Sequence, residues 1–363
     1  MNAPAPPALG ALTLRLREVR GDAFPAEGLR LLREAGFMDD LAAATAPRPH
    51  GPPAMFERLV AIGRGDLALG RLYEGHVNAA GLVARLGSRA QRASARGRFS
   101  GVWGADDPGD PGRIEADGEG YVLRGRKTYA SGAAGLDEAL VVVKDEAGRH
   151  VVVRLDTDRL AGRFDPAWWT PLGMTTTDSH AVRIEGLRVG ADDLLGAPGA
   201  YGAQPYFGGG AVRFAAVQLG GVLAVWDAAR EHLGRAGRHA DPHQAARLGE
   251  ALAECEGAYA GVAGAYERLA EAISWDGEGE PSDAVIADAA RTLPLLAGER
   301  IMAIAQRAVG CAGLMDGHPL ARAVRDLTVY LRQPAPDAAL TRAGAAAGAG
   351  TYAPLFGALP APC

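Results

Sequence analysis

Apolar positions recur every three or four residues at both ends of the chain and follow a shorter period in between. Residues 12 to about 95 read as helical. Leu29, Leu31, Leu32 and Phe37 sit near a helical period that Gly36 breaks, and Ala54 to Ile62 is amphipathic. Leu67 to Leu86 is another helix candidate and carries Tyr73, Glu74 and His76. From about Phe99 the pattern changes to period two and β-branched runs. Tyr121–Leu123, Leu140–Val143, Val151–Val153 and Val182–Ile184 are the strand candidates, separated by Asp/Gly/Pro turns. From about Gly210 helices return, and the spacing predicts long ones over Ala211–Gly234, His243–Ser274 and Asp283–Val309. The order is helical, then all-β, then helical. Strands and helices do not alternate, so a Rossmann sheet is not expected. No internal repeat at solenoid periods is present. The boundaries expected are an N-terminal α-helical domain at 1–97, a central β domain at 98–200, a C-terminal helical bundle at 201–350 and a tail at 351–363.

Composition narrows the class. The chain has 363 residues, enough for two or three domains. Apolar types make up 48% and charged types 22%, which fits a globular protein with a sizeable core. Lys and Arg total 38 against 43 Asp and Glu, a net charge of −5, so there is no whole-chain field for a nucleic-acid backbone. The three cysteines, Cys255, Cys311 and Cys363, are too far apart for a CxxC metal site or a disulfide framework. The opening MNAPAPPALGALTLRL lacks a basic segment followed by a continuous apolar stretch, and no run approaches the roughly 18 apolar residues of a membrane span. A cytoplasmic location is the resulting expectation. Ala343 to Gly350 is Ala/Gly-biased, and the last residues are expected to fray.

Generic chemical motifs are mostly absent. There is no GxGxxG after a strand, no GxxxxGK[ST], no HExxH and no GxSxG. Gly208-Gly209-Gly210 precedes a helix and reads as a flexible turn rather than a phosphate cradle. His76 has no second His at i+3 or i+4, so a hydrogen-bonded structural role is expected over a metal site. Asp106, Asp107 and Asp110 surround Pro108 and Gly109 and read as a surface turn.

Three stretches in the middle zone carry a resemblance. The first is Gly125-Arg126-Lys127-Thr128-Tyr129-Ala130-Ser131-Gly132-Ala133, followed by Asp137 and the run Leu140–Val143. The second runs Trp169-Thr170-Pro171-Leu172-Gly173-Met174-Thr175-Thr176-Thr177-Asp178-Ser179, then Val182–Val189 and Leu194-Leu195-Gly196. The third is Phe99 to Gly109. In order and spacing these resemble the acyl-CoA dehydrogenase superfamily, over about residues 12 to 345. The resemblance implies an α+β multidomain fold: an N-terminal α-helical domain, a central β-barrel or sandwich domain and a C-terminal four-helix bundle. It implies bound FAD, an acyl-CoA or small acyl-type substrate, an electron-transfer flavoprotein or oxygen as acceptor, and a homodimer or homotetramer. By the same resemblance Tyr129 packs against the flavin and the Ser131 hydroxyl hydrogen-bonds near its reducible edge, where an aromatic wall and a hydroxyl donor suit a ring that gains negative charge. The loop from Trp103 to Asp110 stands where the family has "TEPxAGSD", without its Thr and Ser, and places Trp103 and Ala105 at the flavin. Arg235 or Arg238 stands where the family has an Arg for the FAD pyrophosphate, a task suited to a permanent planar cation. Gln306 and Gly310 match its "QxxGGxG" in part.

The general base does not follow the family pattern. Counting on from Arg325-Asp326 places Pro334 at the position of the family's catalytic Glu. The alternative position, just before Arg213, holds Val212. Asp337 lies close to the first position and is the displaced-base candidate, with Arg213 orienting substrate or base. Pro336-Asp337-Ala338 also reads as an N-cap. Glu74 and His76 are more distant candidates. Three readings follow: CH–CH oxidation of an acyl-CoA with a displaced base, flavin chemistry of another kind (oxygen-, nitroalkane- or amine-type oxidation), and a catalytically silent flavin scaffold. α-Proton abstraction from a thioester hardly proceeds without a base, so the missing Glu argues against standard dehydrogenation.

Overall fold

The computed structural model describes residues 6–38, 53–133, 135–203, 206–271, 281–332 and 335–352. Pro334 and most of the 351–363 tail lie outside the described residues. The described helices are α1 (Pro6–Val19), α2 (Ala26–Glu34), α3 (Pro53–Gly65), α4 (Leu67–Leu86), α5 (Arg89–Ser94), α6 (Tyr206–Arg235), α7 (Pro242–Glu271), α8 (Pro281–Val309), α9 (Pro319–Tyr330) and α10 (Pro336–Gly348). The strands are β1 (Ser100–Trp103), β2 (Arg113–Asp117), β3 (Gly120–Arg124), β4 (Arg126–Ala130), β5 (Glu138–Lys144), β6 (His150–Asp156), β7 (Phe164–Asp165), β8 (His180–Arg183) and β9 (Leu187–Val189). The chain divides into two compact units that cut across chain order: Met1–Thr13, Pro52–Leu67 and Gln204–Cys363 in one, Leu14–Gly51 and Ala68–Ala203 in the other.

The second unit holds both sheets. The larger has the order β1-β5-β2-β3-β9, with β6 paired to β5. β5 is buried along nearly its whole length, as expected of an uninterrupted Leu-Val-Val-Val run with neighbours on both sides. Its Glu138 is fully buried and accepts from Ser100 Oγ at 2.8 Å and Arg154 Nε at 2.8 Å. Ala79 and Val83 of α4 pack with Leu140, Val142, Val152 and Leu195 into one apolar cluster. The smaller sheet has the order β4-β8-β7.

The first unit is helical. α6 packs against α3, α7, α8 and α9, and α10 packs on α8. α3 and α6 meet through glycines. A Cβ on Gly63 would lie 2.6 Å from the Val217 carbonyl oxygen, and one on Gly220 would lie 2.7 Å from the Arg64 nitrogen, so only hydrogen fits at this crossing. Beside it Arg64 makes a two-pronged contact with Asp227 at 2.6 and 2.7 Å. Arg342 clasps Asp288 in the same way, tying α10 to α8. α6 is long and apolar enough to cross a membrane by length and composition, against the expectation that no run approaches one. However, 78% of its most apolar window is buried inside the protein, as in a core helix.

Some local expectations need correction. Gly208, Gly209 and Gly210 are not a turn but part of the first turns of α6, with Gly208 and Gly209 buried. Asp337 is not an N-cap. Pro336 takes the first position of α10, Ala335 precedes it, and Asp337 lies exposed in the first turn.

Candidate functional site

The small sheet carries an irregularity at the centre of the first motif. β4 starts in register with β8, Arg126 opposite Arg183 and Lys127 opposite Val182, then slips so that Ala130 faces His180. The slip is at Tyr129, whose φ is +51°. An L-residue in this region costs about 1–2 kcal/mol. The result is a ring turned outward, 45% exposed, between buried Thr128 and Ala130. Lys127 fixes the strand from within. It is fully buried, and its Nζ donates to Asp106 Oδ1 at 2.6 Å, Val142 O at 2.7 Å and Gly104 O at 3.1 Å. Three donors meet three acceptors. Burial pushes the Lys127 pKa down, and Asp106 opposes that shift. The acidic loop is thus the turn expected: Asp106 pairs with Lys127, and Asp107 Oδ1 accepts from Gly109 N at 2.9 Å.

Aromatic side chains border Tyr129. Trp168 stands edge-on to its ring at 4.9 Å and Trp169 at 6.0 Å, and the two indoles stack at 6.3 Å. Trp169 Nε1 donates to the carbonyls of Met174 and Thr175. Such edge contacts orient rings as well as bury them.

Beside this wall lies a chain of hydroxyls. Ser131 Oγ accepts from Ser179 Oγ at 2.9 Å, Ser179 and Thr177 hydroxyls are 2.8 Å apart, and Thr177 Oγ1 donates to Met174 O at 2.8 Å. The backbone is cross-tied: Gly132 N donates to Thr177 O at 2.8 Å, Ala133 N to Asp178 O at 3.2 Å and Trp103 Nε1 to Ser131 O at 3.1 Å. Among the described residues four non-glycines have positive φ, and three of them, Tyr129, Met174 and Asp178, belong to this cluster. Strain concentrated in one place is held there by its surroundings and points to function. His180 completes the cluster, its Nε2 3.9 Å from Asp178 Oδ1. Burial lowers the His180 pKa and raises that of Asp178, so both lean toward their neutral forms.

The residues singled out from sequence fall into two groups. Tyr129, Ser131 and Trp103 come together here. Trp103 is 1% exposed, so it braces Ser131 from behind. Ala105 is exposed, and its carbonyl accepts from Thr128 N at 3.1 Å. The others belong to the helical unit. Arg213 is buried on α6. Arg235 and Arg238 are exposed where α6 ends. Near Arg235, His232 Nδ1 and His318 Nε2 are 3.1 Å apart, and the N-cap His318 is held below its ordinary pKa by burial, His232 and Arg235. Gly310, at φ +76°, stops α8, and its N–H donates to Gln306 O at 2.8 Å. Neither distant base candidate is free to act. Glu74 is 2% exposed and held by Arg71 at 2.7 Å and by Asn78. His76 is 4% exposed, accepts from Ser100 N at 3.1 Å, and burial brings its pKa down to about 4. Thr177 and Ser179 lie in the second resembling stretch without an assigned role, and Trp168 and His180 were not singled out from sequence. The only local signal was a Thr-Thr-Thr-Asp-Ser-His run after a Trp pair.

No protein-family model matches the sequence. The dibenzothiophene monooxygenase of Rhodococcus erythropolis is 29% identical over 182 residues, 44% of this chain and 43% of that protein. The chain thus matches under half the length of such relatives. TdsC, a dibenzothiophene monooxygenase of Paenibacillus sp. A11-2 solved with FMN and indole, superposes with a TM-score of 0.79 at 22% identity, over 98% of both chains. The methanesulfinate monooxygenase MsuC of Pseudomonas fluorescens gives 0.75 at 21% identity, over 99% of both.

Proposed function

We propose that this chain, which has the acyl-CoA dehydrogenase-like fold, works as a flavin-dependent monooxygenase on a small heteroatom-containing substrate. The observation that carries the reading is the strained, exposed Tyr129, edge-on to Trp168 and Trp169 and two residues before Ser131, whose hydroxyl contacts that of Ser179. A flat heteroaromatic ring with acceptor atoms along one edge fits such a donor set. Tyr129 would hold the flavin ring and Ser131 would donate to its acceptor edge, while the indoles keep water from that edge. We propose FMN rather than FAD, on the precedent of TdsC. Bound in its reduced form, the flavin supplies the two electrons that dioxygen needs. The reaction then balances as substrate plus dioxygen plus two electrons and two protons giving oxygenated product plus water.

The two missing carboxylates favour this over acyl-CoA oxidation. Thioester dehydrogenation must remove an α proton, whereas oxygen transfer to a heteroatom removes none, so a buried Val212 is no handicap. Relatives and neighbours that are monooxygenases point the same way. The test is an anaerobic titration of flavin-loaded protein with acyl-CoA thioesters of several chain lengths. The visible flavin band is expected to persist with each of them. Bleaching by any thioester overturns the proposal in favour of dehydrogenation.

A further inference from the structure

We propose that His232 and His318 form a two-histidine latch that ties the end of α6 to the start of α9 at neutral pH and opens on acidification. Their protons can be arranged in one way only. The backbone N–H of Leu320 can only donate, and it lies 3.1 Å from His318 Nδ1. That nitrogen therefore carries no proton, and a neutral imidazole then has its one proton on Nε2. His318 Nε2 is 3.1 Å from His232 Nδ1, so His318 donates and His232 accepts. His232 in turn keeps its own proton on Nε2. The planes of the two rings are tilted by 56°, so the contact is between nitrogens and is not a stack. A further proton has two places to go, His318 Nδ1 or His232 Nδ1, and each sets two N–H groups against one another. The first breaks the cap of α9, and the second breaks the bridge between the helices.

The surroundings offer no charge to compensate. The charges that act on His318 are His232 and Arg235, both on α6, and both can only repel a proton there. The acids of the neighbouring elements have partners of their own. Glu231 on α6 lies 3.7 Å from Arg230, and Asp326 on α9 lies 3.5 Å from Arg322. Asp241, before α7, accepts from the backbone N–H groups of His243 and Gln244. Asp316, in the loop before α9, is fully exposed and 4.0 Å from Arg325. α8 ends in an exposed Arg307 and brings no acid. A charged His318 would also sit at the positive end of α9. Burial first, then His232 and Arg235, hold His318 below its ordinary 6.5. The folded protein thus refuses a proton that the unfolded chain takes up, so the contribution of the latch is whole above pH 6.5 and is lost as the pH falls below it. Gly317, at φ +79°, stands just before the cap, so an opened latch lets the first turn of α9 fray back to a residue that turns freely.

Hydrogen exchange at the Leu320 amide tests this in the full chain. Rates are corrected for the intrinsic pH dependence of exchange, and buried amides at the centre of α6 serve as the reference for global opening. One hydrogen bond is worth about 0.5–1.5 kcal/mol, so in wild type the protection of Leu320 should be about 2- to 12-fold lower at about pH 5 than at about pH 7.5, with the reference amides unmoved. His318→Asn caps the helix with an oxygen that gains no proton, and its Leu320 protection should be the same at both pH values. His232 acts on Leu320 only through His318. His232→Ala should therefore lower the protection at about pH 7.5 in wild type, and do nothing in the His318→Asn background. If either variant fails to fold, the wild-type comparison, which needs no substitution, decides. Leu320 protection that is constant between the two pH values in wild type, or that falls as much in His318→Asn, overturns the latch. An equal effect of His232→Ala in both backgrounds overturns it as well.

Discussion

Replacing His76 by Asn should remove one pH-dependent contribution to stability. His76 sits on α4, packed edge-on against Phe99 at 5.3 Å, with Nδ1 accepting from Ser100 N. That bond needs the nitrogen unprotonated. Burial, with the positive charge of Arg33 adding to it and Asp137 opposing, brings the pKa from 6.5 to about 4. The sign follows directly. Above pH 6.5 the side chain is neutral in folded and unfolded chains alike. Between 6.5 and about 4 the unfolded chain binds a proton that the folded protein refuses, so stability falls as the pH falls. At about 1.4 kcal/mol per pH unit, this amounts to about 3 kcal/mol by pH 4. Asn can offer its amide oxygen to Ser100 N but has no proton to gain. The variant should be less stable than wild type near pH 7.5 because ring packing is lost, and the gap should narrow by about 3 kcal/mol on acidification. Urea unfolding followed by tryptophan emission at closely spaced pH values measures it. A gap that stays constant from pH 7.5 to 4 would refute the assignment of His76 as a buried neutral acceptor.

Other outcomes follow from the same structure. Lys127→Met should destabilise by about 3–5 kcal/mol, since it leaves Asp106 and two carbonyls without their donor; adding Asp106→Asn should recover part of that loss in denaturant melts. Gly220→Ala should cost about 1–3 kcal/mol or more, because α3 and α6 must part to admit one methyl. Ala335→Gly should raise stability by about 1 kcal/mol by relieving φ +47°. Tyr129→Gly relieves similar strain but loses the edge contacts to Trp168 and Trp169, so its stability should change little while FMN affinity falls by about tenfold; unchanged affinity by flavin quenching would count against the aromatic wall.

Periodicity made the long elements legible. Leu67–Leu86 is a helix with those boundaries, and the valine runs are the buried strands β5 and β6. The strands Ser100–Trp103 and Arg126–Ala130 were harder to see. β4 buries a lysine, and its alternation is broken at Tyr129, so no local rule of period two describes it. The glycine triplet looked like a turn because Gly is a poor helix former; close helix crossing explains Gly220, while Gly208 and Gly209 are simply buried in the first turns of α6. The motif residues Tyr129 and Ser131 were found through the family resemblance. Thr177 and Ser179 stand in the second resembling stretch, but their partnership with Ser131 was not found, because it depends on three backbone angles that the sequence does not state.

The central claim is that this site lets dioxygen, rather than an acyl thioester, complete the reaction. The most direct measurement supplies the protein with reduced FMN from an NADH-dependent reductase under isotopically labelled dioxygen. Small sulfur- and nitrogen-containing substrates, indole among them, are offered, and the products are weighed by mass spectrometry. The account predicts a product carrying a single labelled oxygen atom, formed only when protein and FMN are both present. Labelled oxygen found only in water or peroxide, with every substrate recovered unchanged while an acyl-CoA is desaturated, would contradict it.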